Sequence, residues 1–135
     1  MKYYECKSYR FQVAEETTIE LIHQFPNIEF DWFTIKDNKI TIQKGYAWDG
    51  ASGPTIDTKN TIKASLIHDC LYQAMRLGLL DKSCRKAADK ELRDQMKANK
   101  VWKLRANIWY IAVRLFAALS AKKGNLQGKD CIEVV

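Results

Sequence analysis

The hydrophobic pattern of this 135-residue chain changes its period at a glycine-rich stretch, residues 45–60. That change constrains the fold more than any other feature. Before the stretch, apolar and polar residues alternate in short runs rich in β-branched and aromatic side chains, which is typical of strands. After it, apolar residues recur at the i, i+3, i+4 and i+7 spacing of amphipathic helices. The pattern predicts an α+β fold in which an N-terminal antiparallel β-meander packs against three C-terminal α-helices.

Five short runs in the first 43 residues are candidate strands, so we expect a meander of four to five short strands. The runs are Tyr3–Cys6, Tyr9–Val13, Thr17–Ile22, Ile28–Phe33 and Lys39–Gln43. The sequence Lys36-Asp37-Asn38 is a turn signal. It predicts a hairpin that joins the strand at Phe30 to the strand at Ile40.

Three segments after the glycine-rich stretch have helical periodicity. They are Thr61–Leu77, Ser83–Ala98 and Val101–Ala121. Gly78 is a natural end for the first helix, and Asp81 or Ser83 can cap the second. Because the connection between these two helices is short, we expect them to be antiparallel neighbours. The third helix is the most apolar, but it lacks the roughly 18 uninterrupted apolar residues of a membrane span.

The length of the chain and its hydrophobic share of 47% suit one domain with a substantial core. We therefore expect a single domain over residues 1–135. Within it we expect a β-rich part at 1–44, a glycine-rich loop at 45–60, a helical part at 61–121 and a mobile tail at 122–135.

The charge balance of +6 favours an anionic partner such as phosphate, nucleic acid or an acidic membrane surface. A solvated basic face is the simpler interpretation of the same charges. No recognised nucleic-acid-binding module is present, so we expect no sequence-specific binding of nucleic acid. The four cysteines contain no C-x-x-C pair, which favours free thiols over a zinc site or a disulfide scaffold. The polar N-terminus shows no secretory signal, which predicts a cytoplasmic location.

Candidate catalytic residues lie on the first two helices. His68 and Tyr72 are four residues apart and are expected to stack on the edge of the apolar face of the first helix. Asp89 lies on the half-buried side of the second helix, and a carboxylate there needs a partner because burying an unpaired charge is costly. His68 or Tyr72 is the natural candidate. This pattern predicts a His-Asp dyad in which Asp89 fixes the tautomer of His68, raises its basicity and makes it a general base.

A candidate metal site combines the first helix with the glycine-rich loop. Asp69 is expected to point away from the core toward Asp49 and the backbone oxygens that begin at Gly50. Carboxylates mixed with backbone carbonyls are the ligands that calcium prefers. We therefore expect a Ca²⁺ site at these three residues. A pocket for an anionic, amphipathic substrate or partner is expected beside it, lined by Trp48, Ser52, Gly53 and Pro54.

Each candidate also has a structural interpretation. His68 can be satisfied by a backbone carbonyl, and Tyr72 with Asp89 can form a structural hydrogen bond, as buried polar pairs usually do. Asp69 can pair with Lys63 or Arg76, and the glycines of the loop can serve tight turns alone.

The motifs GYAWDGASGPTID and LIHDCLY, with RKAADKEL and VRLF after them, resemble an uncharacterised domain-of-unknown-function family of tailed phages and prophages. The similarity covers roughly Gly45 to Phe116. It implies a phage origin and no particular activity.

A more distant resemblance is to the phospholipase A2 superfamily, through His68-Asp69-x-x-Tyr72, the preceding glycine-rich loop and the Asp on the next helix. The resemblance implies that His68 is the general base and that Asp89 and Tyr72 orient it. It also implies that Asp69 and the loop bind calcium. The chain differs from that superfamily in its N-terminal strands, in the WDGASG loop and in Cys70, which directly follows Asp69.

The resulting hypothesis is a calcium-dependent phospholipase A2-like ester hydrolase from a phage or prophage. The competing hypothesis is a non-catalytic phage protein: a binding or inhibitory module for host takeover or anti-defence, or a minor virion protein, which uses the Trp48 pocket. The expected partner is an anionic membrane lipid or a host factor. The expected location is the host cytoplasm, the virion or the membrane periphery. The sequence leaves the oligomeric state open.

Overall fold

The computed structural model describes residues 1–5, 11–48, 59–99 and 103–116. The chain divides into two compact units, of which the first includes residues 1–50 and the second includes residues 51–125. The first unit contains antiparallel strands and the second contains three helices. The predicted α+β class is therefore confirmed. The tail predicted at 122–135 lies outside the described residues.

The described part of the first unit contains seven short strands in two antiparallel sheets. The strands are β1 (Tyr3–Glu5), β2 (Phe11–Val13), β3 (Thr17–Glu20), β4 (Ile28–Glu29), β5 (Phe33–Lys36), β6 (Lys39–Ile42) and β7 (Ala47–Trp48). One sheet has the order β1-β2-β7 and the other has the order β3-β6-β5-β4. The run predicted as one strand, Ile28–Phe33, is divided between β4 and β5 because the chain bends at Asp31 and Trp32.

The predicted hairpin turns at Asp37 and Asn38 and joins β5 to β6. Both residues have positive φ angles, of 50° and 58°, as a two-residue type I′ turn requires. The Asn38 side chain also donates to the backbone oxygens of Leu21 and His23, at 3.2 and 3.0 Å. Its own oxygen accepts from the backbone nitrogen of Phe25 at 3.0 Å. One turn residue thus holds the hairpin and the segment between β3 and β4 together.

The glycine-rich stretch begins as part of a sheet, which the sequence did not predict. Gly45 has a φ angle of 97°, and its backbone nitrogen donates to the oxygen of Val13 at 2.8 Å. This reversal lets β7 pair with β2, with Trp48 opposite Phe11. Glycine and proline are frequent after Trp48, so the sequence predicts a loop for the whole stretch. Strand β7 has only two residues and forms without a longer run of strand-forming residues.

The three helices of the second unit are α1 (Lys59–Arg76), α2 (Arg85–Ala98) and α3 (Lys103–Phe116). Helix α1 ends at Arg76, and Gly78 terminates it as predicted, with a φ angle of 77°. The nitrogens of Gly78 and Leu79 donate to the oxygens of Met75 and Ala74, which is a Schellman motif. Asp81 caps the 3₁₀ turn Lys82–Cys84 that leads into α2, because its carboxylate accepts from the nitrogen of Ser83 at 2.7 Å.

The core of the helical unit is a cluster of buried residues from all three helices. Its members are Ala64, Leu92, Met96, Ala106, Trp109 and Val113. Helix α3 contributes the face that carries Trp109 and leaves its opposite face exposed, where Leu104 is 72% and Leu115 is 68% exposed. Within the described ranges, each helix is too short or too polar to cross a membrane.

Candidate functional site

The carboxylate of Asp89 is the centre of the polar cluster in the helical unit. Asp89 lies in the first half of α2 and is fully buried. Its Oδ1 atom accepts from His68 Nε2 at 2.8 Å and from the Tyr72 hydroxyl at 2.6 Å. Its Oδ2 atom accepts from Arg114 Nη1 at 3.0 Å. A buried carboxylate with three hydrogen bonds to its two oxygens is well stabilised in its ionised form.

His68 and Tyr72 reach Asp89 from one face of α1. The i, i+4 spacing places their rings one above the other, and the ring centroids are 4.2 Å apart with a tilt of 38°. Both side chains are nearly buried, with 7% of His68 and 2% of Tyr72 exposed. The structure therefore brings together the three residues predicted to form the dyad and its orienting tyrosine.

Two arginines complete the cluster, and the sequence analysis did not assign them to it. Arg114 on α3 forms the hydrogen bond to Asp89 Oδ2, and Arg85 Nη1 lies 3.8 Å from the same oxygen. Arg85 also donates to the backbone oxygen of Arg114 at 3.4 Å. Two signals were available: Arg85 precedes Asp89 by four residues on one helix, and Arg114 is a cation within an apolar helix, where a charge needs a partner.

The hydrogen bonds decide the ionisation of Asp89. Burial raises the pKa of this carboxyl, but the hydrogen bonds from His68 and Tyr72 and the nearby positive charge outweigh it and hold the pKa below its ordinary value. Burial raises the pKa of Tyr72 well above its ordinary value, and the adjacent Asp89 carboxylate raises it further. The cluster therefore contains a carboxylate and a neutral phenol at neutral pH.

The ionised state of Asp89 fixes the tautomer of His68. A carboxylate can only accept hydrogen bonds, so Nε2 of the neutral ring carries the proton and donates it to Oδ1. Nδ1 then carries the lone pair, and within the described part of the chain no group bonds to it. The histidine side chain is 8% exposed. The arrangement leaves one basic nitrogen available to a water molecule or to a substrate.

Of the three proposed calcium ligands, Asp69 lies among the described residues. Asp69 lies on α1, is partly buried and has interactions of its own. Asp49 and Gly50 lie outside the described residues, as do the pocket residues Ser52, Gly53 and Pro54. Within the ranges that are described, no three His, Cys, Asp or Glu side chains are close enough to hold a metal.

Trp48, the remaining predicted pocket residue, is buried in the first sheet. Its side chain is 1% exposed. The ring lies 5.5 Å from that of Phe11 and 6.4 Å from that of Tyr3, measured between centroids. Trp48 thus contributes to the aromatic side of the β1-β2-β7 sheet.

Comparison with known proteins gives a family. A search of the curated proteins and a search of the solved structures each returned no match. The family model described as Protein of unknown function (DUF1353) matches residues 27–113, which is more than half of the chain and includes His68, Tyr72 and Asp89. The chain therefore belongs to the DUF1353 family of proteins of unknown function.

Proposed function

We propose that this protein is an ester hydrolase of a phage or prophage, in which His68 is the general base and Asp89 and Tyr72 orient it. The observation that carries the proposal is the hydrogen bond from His68 Nε2 to the buried Asp89, which leaves Nδ1 as the basic nitrogen. A general base has to lie within reach of the proton that it removes and has to be held in one tautomer. The described residues meet the second condition.

The chemistry assigned to these residues is the hydrolysis of a carboxylic ester. Nδ1 of His68 takes a proton from a water molecule, and the water oxygen attacks the carbonyl carbon of the ester. The tetrahedral intermediate collapses, the bond to the alcohol oxygen breaks, and His68 returns the proton to that oxygen. The products are an acid and an alcohol. Asp89 keeps the ring in place throughout, since its charge is already compensated by Arg114 and Arg85.

Calcium dependence is the part of the proposal that rests on residues 49–50 together with Asp69. A calcium ion bound there would polarise the ester carbonyl and stabilise the developing oxyanion. Among the described residues, Asp69 is the only member of that ligand set, and one carboxylate does not make a calcium site. Calorimetry with Ca²⁺ tests this step: the proposal expects heat of binding for the wild type and its loss in Asp69→Asn.

The lead substrate is a phospholipid of an anionic membrane, and the assay follows fatty acid release from phospholipid vesicles in the presence of Ca²⁺. His68→Ala is expected to lower the rate at least about 100-fold, because general-base catalysis contributes about that much or more. His23→Ala is the matched control, because His23 is the other histidine of the chain and belongs to the strand unit. Unchanged activity in His68→Ala, with native far-UV circular dichroism, would exclude the mechanism.

The second candidate is a non-catalytic phage protein that binds a host factor, and one observation favours a non-catalytic role for the cluster. Asp89 has donors on both oxygens and positive charge beside it, so the cluster also has the features of a brace between the three helices. A brace predicts no turnover of any ester by the wild type. It also predicts that His68→Ala lowers stability, whereas His23→Ala does not.

A further inference from the structure

The polar cluster carries more positive charge than its carboxylate can neutralise. Arg85 and Arg114 both approach Oδ2 of Asp89, at 3.8 and 3.0 Å. Within the part of the chain that the structure describes, no second carboxylate pairs with either arginine. Tyr72 stays neutral because its pKa is raised. Two guanidinium charges therefore face one carboxylate charge.

The arginines also have hydrogen-bond donors to spare. A guanidinium has five N–H donors. Arg114 bonds to Asp89 through Nη1, and Arg85 bonds to the backbone oxygen of Arg114 through Nη1 and also interacts with the Tyr72 hydroxyl. The two side chains are 26% and 29% exposed, whereas Asp89 is fully buried. The two arginine side chains are thus more accessible to solvent than His68 or Asp89.

The first turn of α2 adds no negative charge beside Arg85, and the nearest preceding carboxylate, Asp81, caps the 3₁₀ turn through Ser83. Lys82 and Lys86 on either side of Arg85 are exposed. Planar guanidinium groups bind phosphate and related oxyanions through two parallel hydrogen bonds, and positive surroundings strengthen such bonds.

We propose that Arg85 and Arg114 form a binding site for a phosphate-type oxyanion beside the His68–Asp89 pair. The binding of an oxyanion depends on the two arginines alone. The second claim, that the ester cleaved by His68 carries a phosphate group, rests on the proposed function. The oxyanion occupies the exposed donors of the guanidinium groups and neutralises the charge that Asp89 leaves uncompensated.

The imidazole nitrogens of the chain provide a direct readout of this site. The protein contains two histidines, His68 in the cluster and His23 in the strand unit. A titration with inorganic phosphate, at ionic strength held constant with chloride, is followed by the ¹H–¹⁵N signals of both rings. The signals of His68 are expected to shift and to saturate, because His68 and Arg114 bond to the same carboxylate. The signals of His23 are expected to stay in place.

Substitutions at two positions of α2 test the contribution of Arg85. Arg85→Gln is expected to weaken phosphate binding about tenfold, because it removes one charged donor group. Arg93→Gln is the matched control, since Arg93 lies on the same helix with similar exposure but pairs with its own carboxylate, Asp94. Arg85→Lys keeps the charge without the planar fork and is expected to give an intermediate affinity. Arg114 is left intact because it holds Asp89.

A second titration separates the two sources of such an anion. Vesicles of phosphatidylcholine with and without phosphatidic acid replace inorganic phosphate, and a shift of His68 that requires phosphatidic acid identifies a lipid headgroup. A shift with inorganic phosphate alone identifies a free phosphate or a soluble phosphate ester. No saturable shift of His68 with either ligand, or equal weakening by Arg85→Gln and Arg93→Gln, would overturn the proposal.

The outcome is separable from that of the proposed hydrolase. A saturable shift without hydrolysis of any ester leaves the anion site standing and removes the enzymatic function. Hydrolysis of neutral and phosphate-bearing esters with equal kcat/KM, without a phosphate-dependent shift, leaves the enzymatic function and removes the anion site.

Discussion

His68 and Tyr72, one turn apart on α1, donate hydrogen bonds to the same oxygen of Asp89, at 2.8 and 2.6 Å. Because both donors share one acceptor, the imidazole ring is held by its hydrogen bond and by its contact with the tyrosine ring. The other oxygen of Asp89 is bound by an arginine from α3. One buried carboxylate thus connects all three helices, and changes at its donors should be measurable in stability as well as in any activity.

Tyr72→Phe is expected to lower the free energy of unfolding by about 1.5–3 kcal/mol, the range for a hydrogen bond to a charged group. The ring stays in place while a short bond to a buried carboxylate is lost. Asp89→Asn is expected to cost more, about 3 kcal/mol or above, since it breaks a buried charge pair. Urea unfolding followed by circular dichroism measures both, and an equal or smaller loss in Asp89→Asn would contradict the central place given to the carboxylate.

The dependence of stability on pH should have two limbs with opposite signs. The pKa of Asp89 is lowered by folding, so its contribution is fully present above about pH 4, the unfolded value. It is lost as the pH falls through the folded pKa. The pKa of Tyr72 is raised, so the protonated phenol stabilises the fold fully below about pH 10 and progressively less as the pH rises further.

Single variants identify the ionisable group that is responsible for each limb of the pH dependence. Asp89→Asn should flatten the acidic limb of the free energy of unfolding against pH, and Tyr72→Phe should flatten the alkaline limb. An alkaline limb of unchanged steepness in Tyr72→Phe would show that another group controls it.

Leu92→Ala and Leu104→Ala provide a matched pair in the helical core and on its surface. Leu92 is 2% exposed within the core cluster and Leu104 is 72% exposed on α3. Truncation of the buried leucine should cost about 2–5 kcal/mol because it leaves a cavity. The surface truncation should change stability by less than about 0.5 kcal/mol. Thermal unfolding measures the difference, and similar costs at the two positions would mean that the outer face of α3 is covered in solution.

Asn38→Gly should destabilise the protein although glycine suits the turn. Glycine adopts positive φ angles readily, but the substitution removes three side-chain hydrogen bonds to the backbone of residues 21–25. We expect a net loss of about 1–3 kcal/mol. Asp37→Gly is the control, because the hydrogen bond from Asp37 to Asn27 uses its backbone nitrogen. That variant should be neutral or slightly stabilising, and the same loss in both variants would contradict the role of the Asn38 side chain.

The sequence by itself determined the class of the fold and the positions of a hairpin turn and of a helix end. The change of hydrophobic period predicted strands before helices, Asp37-Asn38 predicted the hairpin turn, and Gly78 predicted the end of α1, because each depends on interactions within a few residues. The same local information predicted that Asp89 needs a donor on α1, since the helical spacing of His68 and Tyr72 and the half-buried position of Asp89 are periodic features.

Tertiary structure decided what local pattern cannot encode. The pairing of β7 with β2 joins residues more than 30 positions apart in sequence, and the division of the strands into two sheets likewise depends on which strands meet after the chain has folded. The position of Arg114 beside Asp89 depends on how α3 packs against α2, because a hydrogen bond between residues 25 positions apart forms only after the helices have assembled. The sequence therefore predicted the histidine, tyrosine and aspartate of the cluster, and the packing of the third helix supplied the arginine that binds the second oxygen of Asp89.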